Sequence, residues 1–413
     1  MTTALAATIG STISIILITR KSNPAYSLIA GAIIGGLLGG LGLDGTVKNM
    51  IEGVKDVSPA VIRILAAGVL SGVLIKTGAA SRIAHGIVSS MGEKRVFFAL
   101  ALSTLILCSI GVFIDVAVIT VAPIALSVGK SLRIPKTKLL LALIGGGKCG
   151  NIISPNPNTI IAAENMGADL SAVMIAGIPA AIVGMIVVLL LVRCMKNEGE
   201  VYEGKDEVST QALPTLWASL LGPIVAVGLL SLRPLAGIHI DPLIALPLGG
   251  ICSILATRKT ALWHESIAYG LEKMSAIAVL LISTGALAGI IKCSDLKEVI
   301  LGSLARFEMS ESLIAPVAGA LMSAATASTT AGAAIASSSF ADVILASGMS
   351  AVSGAALINA GSTVLDHLPH GSFFHATAGA CYVPIGERLK LIGYESLIGL
   401  SLTTVGYLVF SFT

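Results

Sequence analysis

Between two long apolar runs lies the stretch Gly145-Gly146-Gly147-Lys148-Cys149-Gly150-Asn151-Ile152-Ile153-Ser154-Pro155-Asn156-Pro157-Asn158-Thr159, which is dense in residues that stop a helix. Its flanks point to a membrane and its middle to a broken helix. In hydrocarbon an unpaired backbone group costs several kcal/mol, so non-helical chain at membrane depth survives only where it is buried in protein or lines a polar cavity. The stretch is therefore the first candidate for a substrate site. Composition agrees with the membrane reading. Hydrophobic residues make up 55% of the 413 and charged residues 12%, against about a quarter charged in soluble domains. The 45 glycines suit helices that approach one another closely in a bilayer.

The same composition excludes other classes. A net charge of +3 gives no reason to expect nucleic acid as a partner. The six cysteines, Cys108, Cys149, Cys194, Cys252, Cys293 and Cys381, show no CxxC and no regular spacing, which reads as small buried side chains. Asp366, His367, His370 and His375 lack HExxH or a helical ligand spacing, so no metal and no cofactor is expected. The apolar N-terminal segment has Arg20 and Lys21 after it and no basic residue before it, so it reads as a retained first helix.

Apolar runs of the length that crosses a bilayer core of about 30 Å fall near 3–19, 25–43, 59–79, 139–164 (interrupted), 172–192, 214–232, 242–257, 274–291, 351–380 (interrupted) and 394–412. Two more runs, 96–130 and 312–347, are too long for one span and are interrupted by Cys108 to Gly111 and by Thr326 to Gly332. The first run has basic residues at both ends, and both runs read as re-entrant hairpins. With that assignment eighteen Lys and Arg residues fall on one side, seven on the other, and Lys148 inside the central stretch. The positive-inside rule then places both termini on the outer side of a bacterial-type cytoplasmic (inner) membrane.

The predicted fold is an all-α polytopic membrane protein made of two inverted-topology repeats, each of five spans (one interrupted) plus a hairpin. The repeats are 1–195 and 214–413, joined by an acidic cytoplasmic linker at 196–213. Five spans per half force inversion if the halves are homologous. Leu70 to Lys76 resembles Leu287 to Lys292, and Ala142 to Gly147 resembles Ala356 to Gly361, which carries Pro155 onto Pro369. Asn359 to Ser372 is thus the partner of the opening stretch. Matching interrupted helices in two inverted halves are a pointer to the midplane site of a secondary transporter.

Several residues there have suitable chemistry. Asn156, Asn158 and Thr159 donate and accept hydrogen bonds, as do Ser328, Thr329 and Thr330 at the second hairpin tip and Ser362 and Thr363 in the second break. They suit the hydroxyls of a substrate or a small cation, and equally the free backbone groups of the breaks. Lys148 fits a substrate carboxylate, a structural ion pair with Asp115 or Asp366, or a snorkelling side chain. His370 is a further substrate-binding candidate, and Asp115, Asp366 and His367 are candidates for carrying a coupling proton.

Gly111-Val112-Phe113-Ile114-Asp115-Val116, Ser154 to Thr159 with Gly167-Ala168-Asp169-Leu170 and Gly177 to Val183, and Ala327 to Gly332 resemble the gluconate permease family of the ion transporter superfamily. The likeness runs from about residue 25 to the end. It implies inverted repeats with a hairpin and a broken helix each, a homodimer in the lipid bilayer, elevator-type movement, and uptake of a sugar acid or related hydroxycarboxylate with protons. It implies a transporter and no enzyme. The chain departs from the family pattern where the usual proline- and histidine-rich box reads Ser154-Pro155-Asn156-Pro157-Asn158-Thr159, and where the usual glutamate near the first tip is Asp115. A sodium-coupled carboxylate carrier or a cation/proton antiporter of the same superfamily fold is the alternative expectation.

Overall fold

The computed structural model describes residues 3–20, 22–92, 95–196, 199–204, 213–296, 298–299, 311–369 and 371–411. Over these residues the chain is helical, and the β-structure is confined to one bridge between Pro135 and Val201. Seven helices among the described residues are long and apolar enough to cross a membrane.

Two helices form the spine. Gly42–Lys76 has 35 residues and Trp263–Lys292 has 30, or about 52 and 45 Å at 1.5 Å per residue. They lie along each other, with Gly53 set against Gly285 and Gly289. Thr3–Thr19 with Pro24–Leu38, and Leu216–Ala236 with Pro242–Ala256, flank them. The spans expected at 59–79 and 274–291 are only the apolar portions of these helices. Hydropathy follows the hydrocarbon, whereas backbone hydrogen bonding carries a helix beyond it.

The other body contains the hairpins and the broken helices. The first hairpin pairs Val96–Ser109 with Ile114–Ser131, and Gly111 turns the chain at φ +101, in the region that favours glycine. The second pairs Ile314–Thr326 with Thr329–Ala346, turned at Ala327 with φ +46. The leading arms have 14 and 13 residues, or only about 20 Å of helix each. The interrupted helices are Lys136–Asn151 with Pro157–Met166, and Ala351–Gly361 with Ser372–Ala380. Leu170–Ala176, Ile178–Cys194 and Ile392–Ser411 complete this body.

The segments that resemble each other in sequence occupy corresponding places. Leu70–Lys76 and Leu287–Lys292 end the two long helices, and Ala142–Gly147 and Ala356–Gly361 lie before the two breaks. The break itself is shorter than the glycine content suggests. Gly145 to Gly150 are helical, and the chain leaves the helix only between Asn151 and Pro157. The glycines serve close approach: a Cβ on Gly146 would stand 1.9 Å from the carbonyl oxygen of Ala101 in the first hairpin, and one on Gly150 would stand 2.2 Å from that of Leu105. Gly146→Val is expected to lower stability by about 1–3 kcal/mol or more, as overpacking does, read as a fall in melting temperature of the detergent-solubilised protein. An unchanged melting curve would refute this packing role.

One amphipathic helix, Ala79–Met91, lies between the spine and the first hairpin and was not anticipated. It buries Ala79, Ala80, Ile83 and Ala84, a helical spacing that the sequence does contain.

Candidate functional site

Each break is closed by the hairpin tip of its own half. Asn156 Nδ2 donates to the Val112 carbonyl at 3.3 Å, at the tip of the first hairpin, and to Asn151 Oδ1 at 2.9 Å across the break. Gly371 sits on Ala327, where a Cβ would come within 2.4 Å of the carbonyl oxygen. The two breaks also bind each other. Asn158 Nδ2 donates to Asn359 Oδ1 at 2.7 Å, and Asn359 Nδ2 donates to Thr159 Oγ1 at 3.0 Å. Asn158, Thr159 and Asn359 are all buried, and the bonds satisfy side chains that would otherwise be costly to remove from water.

Lys148 is fully buried behind this seam. Its ammonium has three donors and meets three acceptors: the Thr363 carbonyl at 2.6 Å, Asp366 Oδ1 at 2.5 Å and His367 Nδ1 at 3.0 Å. Asp366 Oδ2 accepts from Thr329 Oγ1 at 2.5 Å, so the second hairpin is tied to the same carboxylate. On the far side of the imidazole, Nε2 lies 3.0 Å from the Ile392 carbonyl and must donate there, which assigns the Nδ1 lone pair to Lys148. The same Nδ1 lies 3.0 Å from Asp366 Oδ1, so the imidazole packs against both members of the Lys148–Asp366 pair. Beyond His367, the buried Arg388 and Glu395 form a bidentate pair, with Glu395 Oε2 accepting from Nη2 at 3.1 Å. Arg388 was expected in a loop. Glu395 drew no notice in the sequence, although a carboxylate inside the apolar segment Ile392–Ser411 is a signal.

Asp115 differs from this network. Among the described residues it has no hydrogen bond or ion pair, and it lines a cavity of about 260 Å³ with Phe113, Ile114, Asn151, Asn158, Lys273, Met274, Ile277, Ala327 to Thr330, Asp366, Ser372 and Phe373. Helix N-termini converge on it from three elements: Ile114 and Thr329 of the hairpins and Ser372 after the second break, with Asn158 in the first turn of Pro157–Met166. A helix N-terminus carries about half a positive charge and free N–H groups, so convergent N-termini favour an anion.

Of the residues singled out from sequence, Asp115, Asn158, Ser328, Thr329, Thr330 and Asp366 line this cavity. Lys148, Asn156, Thr159 and His367 sit behind it in the networks described above. Ser362 and Thr363 are buried, and their hydroxyls donate to the Ile358 and Ala360 carbonyls of their own helix. His370 lies outside the described residues, as does most of the acidic linker. Lys273 was not anticipated, because it was assigned to a loop; it lies well inside the helix Trp263–Lys292.

A second cavity, of about 250 Å³, lies between the spine and the end of Pro157–Met166. Its charged side chains already pair with one another. Arg63 pairs with Glu164 and, through Nη2 at 2.7 Å, with Asp241, while Arg233 pairs with Asp169 at 3.0 Å. The Arg63 hydrogen bond holds the Asp241 carboxyl below its usual range. Both arginines are engaged by three carboxylates, so among the described residues the lining holds no free arginine for an organic anion.

Comparison with known proteins accords with this architecture. The crystal structure of the Alcanivorax borkumensis YdaH transporter, reported to have an unusual topology, superposes with a TM-score of 0.71 at 15% identity, covering 97% of this chain and 98% of that one. This likeness bears on the fold alone. An uncharacterized transporter of Haemophilus influenzae is 49% identical over 409 residues, 98% of each chain. A gluconate permease of Pseudomonas aeruginosa is 28% identical over 235 residues, 54% of this chain and 52% of that protein. The low-affinity gluconate transporter of Escherichia coli is 27% identical over 183 residues, 43% of this chain and 41% of that protein. The model of the GntP family permease matches residues 2–413, so the chain is a multi-pass membrane protein that belongs to the GntP family of permeases.

Proposed function

We propose that this permease is a secondary active transporter that carries a small organic anion, a gluconate-like sugar acid or another hydroxycarboxylate, together with protons. The observation that carries the reading is the cavity at Asp115, where a carboxyl group without a partner among the described residues shares one small space with converging helix N-termini. An anion entering that space is attracted by the N-termini and repelled by a charged Asp115, so a proton on Asp115 makes binding favourable. The proton and the anion thus support each other's binding. Asn158, Ser328, Thr329 and Thr330 offer polar groups to the substrate hydroxyls. Asp366 and His367 are secondary candidates for the proton, since Lys148 occupies both.

The architecture that goes with this reading is two inverted repeats, 1–195 and 214–413, with re-entrant hairpins whose short leading arms fall below the bilayer thickness. The body holding hairpins and breaks moves as an elevator against the long-helix spine, in a homodimer in the cytoplasmic membrane with both termini outside. The names of the gluconate relatives support a sugar acid as substrate.

Uptake into proteoliposomes tests the coupling. One charge moved through a membrane potential is worth about 2.3 kcal/mol per 100 mV, so a monoanion carried with one proton ignores the potential and one carried with two protons responds to it. Accumulation of gluconate is expected to follow an inside-alkaline pH gradient without sodium and to collapse with a protonophore. Uptake that tracks a sodium gradient and ignores the pH gradient would replace the proposal with sodium coupling.

A further inference from the structure

Lys273 projects into the cavity from the spine rather than from the body that supplies the rest of the polar lining. It lies about 15 Å along the helix Trp263–Lys292 from its start. Among the described residues it forms no ion pair, and its ammonium lies 5.7 Å from the centre of the Tyr269 ring. Lys76 lies over the same ring at 5.1 Å, but Glu265 neutralises it at 2.7 Å and it does not line the cavity.

The charges around the cavity can be assigned one by one. Asp366 is balanced by Lys148. Asp115 and Lys273 are left, one carboxyl and one ammonium, without a direct bond between them. Once Asp115 carries a proton, Lys273 is the uncompensated charge of the site. Lys273 is solvent-exposed and lies at the edge of the apolar portion of its helix, so its ammonium can meet either water or a counter-ion. The cavity supplies water when empty, and an anionic substrate supplies the counter-ion when loaded.

We propose that Lys273 is a substrate-binding residue that pairs with the carboxylate of the transported acid. The inference rests on the organic-anion reading above and adds to it the residue that distinguishes an acid from a neutral polyol. The helix N-termini and hydroxyls recognise shape and hydroxyl pattern, and Lys273 selects the charge. Because it belongs to the spine, the pairing is made in the conformer described here and has to be given up if the rest of the site moves along the spine.

The test is saturation kinetics of radiolabelled gluconate uptake into proteoliposomes driven by a pH gradient. Lys273→Gln is expected to raise KM about tenfold or more, as loss of a charge-assisted pair does, with the maximal rate within about threefold of wild type. Lys273→Arg is expected to restore KM to within about threefold, and Lys76→Gln to leave it unchanged. Melting temperatures of the purified variants separate a folding defect from a binding one, and Lys273→Met gives the same reading if the glutamine variant fails to fold. A wild type that transports gluconate while Lys273→Gln and Lys273→Met keep its KM overturns this proposal alone. A wild type that takes up neither gluconate, glycerate nor lactate overturns the organic-anion reading, and this proposal with it.

Discussion

Lys148→Met is expected to destabilise the protein by about 3–5 kcal/mol, the usual cost of removing one member of a buried ion pair. It should be among the most damaging single changes in the chain. The methionine fills similar space, so the loss comes from stranding Asp366 and the Thr363 carbonyl, both buried and both bound to the ammonium. His367 Nδ1 loses its donor as well. Adding Asp366→Asn removes the uncompensated charge, and the amide can still accept from Thr329. The double variant is therefore expected to recover more than half of the lost stability. Melting temperatures of wild type, both single variants and the double variant form the cycle that measures the coupling. A Lys148→Met protein that melts with wild type would show that the ammonium has no structural role and would reopen direct contact with substrate.

Asp115→Asn is expected to abolish accumulation of substrate against its gradient while leaving counterflow exchange within about threefold of wild type. Asparagine is nearly isosteric and permanently neutral, so it imitates the protonated carboxyl and lets the anion bind without a proton. Because Asp115 has no partner among the described residues, the substitution strands no buried group. Initial rates of pH-driven uptake and of exchange in the same proteoliposome preparation make the comparison. Equal loss of both, in a protein that melts normally, would assign Asp115 to binding rather than coupling.

Interrupted elements were easy to read in the sequence because a membrane forbids most alternatives. Polar or glycine-rich segments within apolar runs at 96–130, 139–164, 312–347 and 351–380 each correspond to a turn or a break, and the halves of each pair lie within about five residues of the expected bounds. The chain's GntP membership agrees with the resemblance carried by the hairpin and break motifs. What escaped was charge placement. Counting Lys and Arg assumes that a basic residue beside an apolar run lies in a loop, and that assumption fails for Lys273 and Arg388 for different reasons. Lys273 lies on a helix longer than its apolar portion, so the hydropathy boundary fell beside it. Arg388 is fully buried because Glu395, seven positions later, accepts its guanidinium, and no local pattern joins the two. The role of the glycines at 145–147 was likewise hidden, since the residue that weakens a helix is also the one that lets two helices touch.

The hydrogen bonds between Asn158, Asn359 and Thr159 bear on how such a protein opens. They work as a clasp, with the amide of each half closed over the other in a place water does not reach. Parting the halves there would leave buried amides without partners, at a cost of a few kcal/mol apiece, and would also pull Lys148 from Asp366. The groups that hold the two breaks together are then poor gates. The weaker seam runs outside them, along the partly exposed bridges from Arg63 to Glu164 and from Arg233 to Asp169, where water can replace each bond as it breaks. Separation along those bridges therefore costs less than separation at the clasp, which holds the two breaks together as one unit.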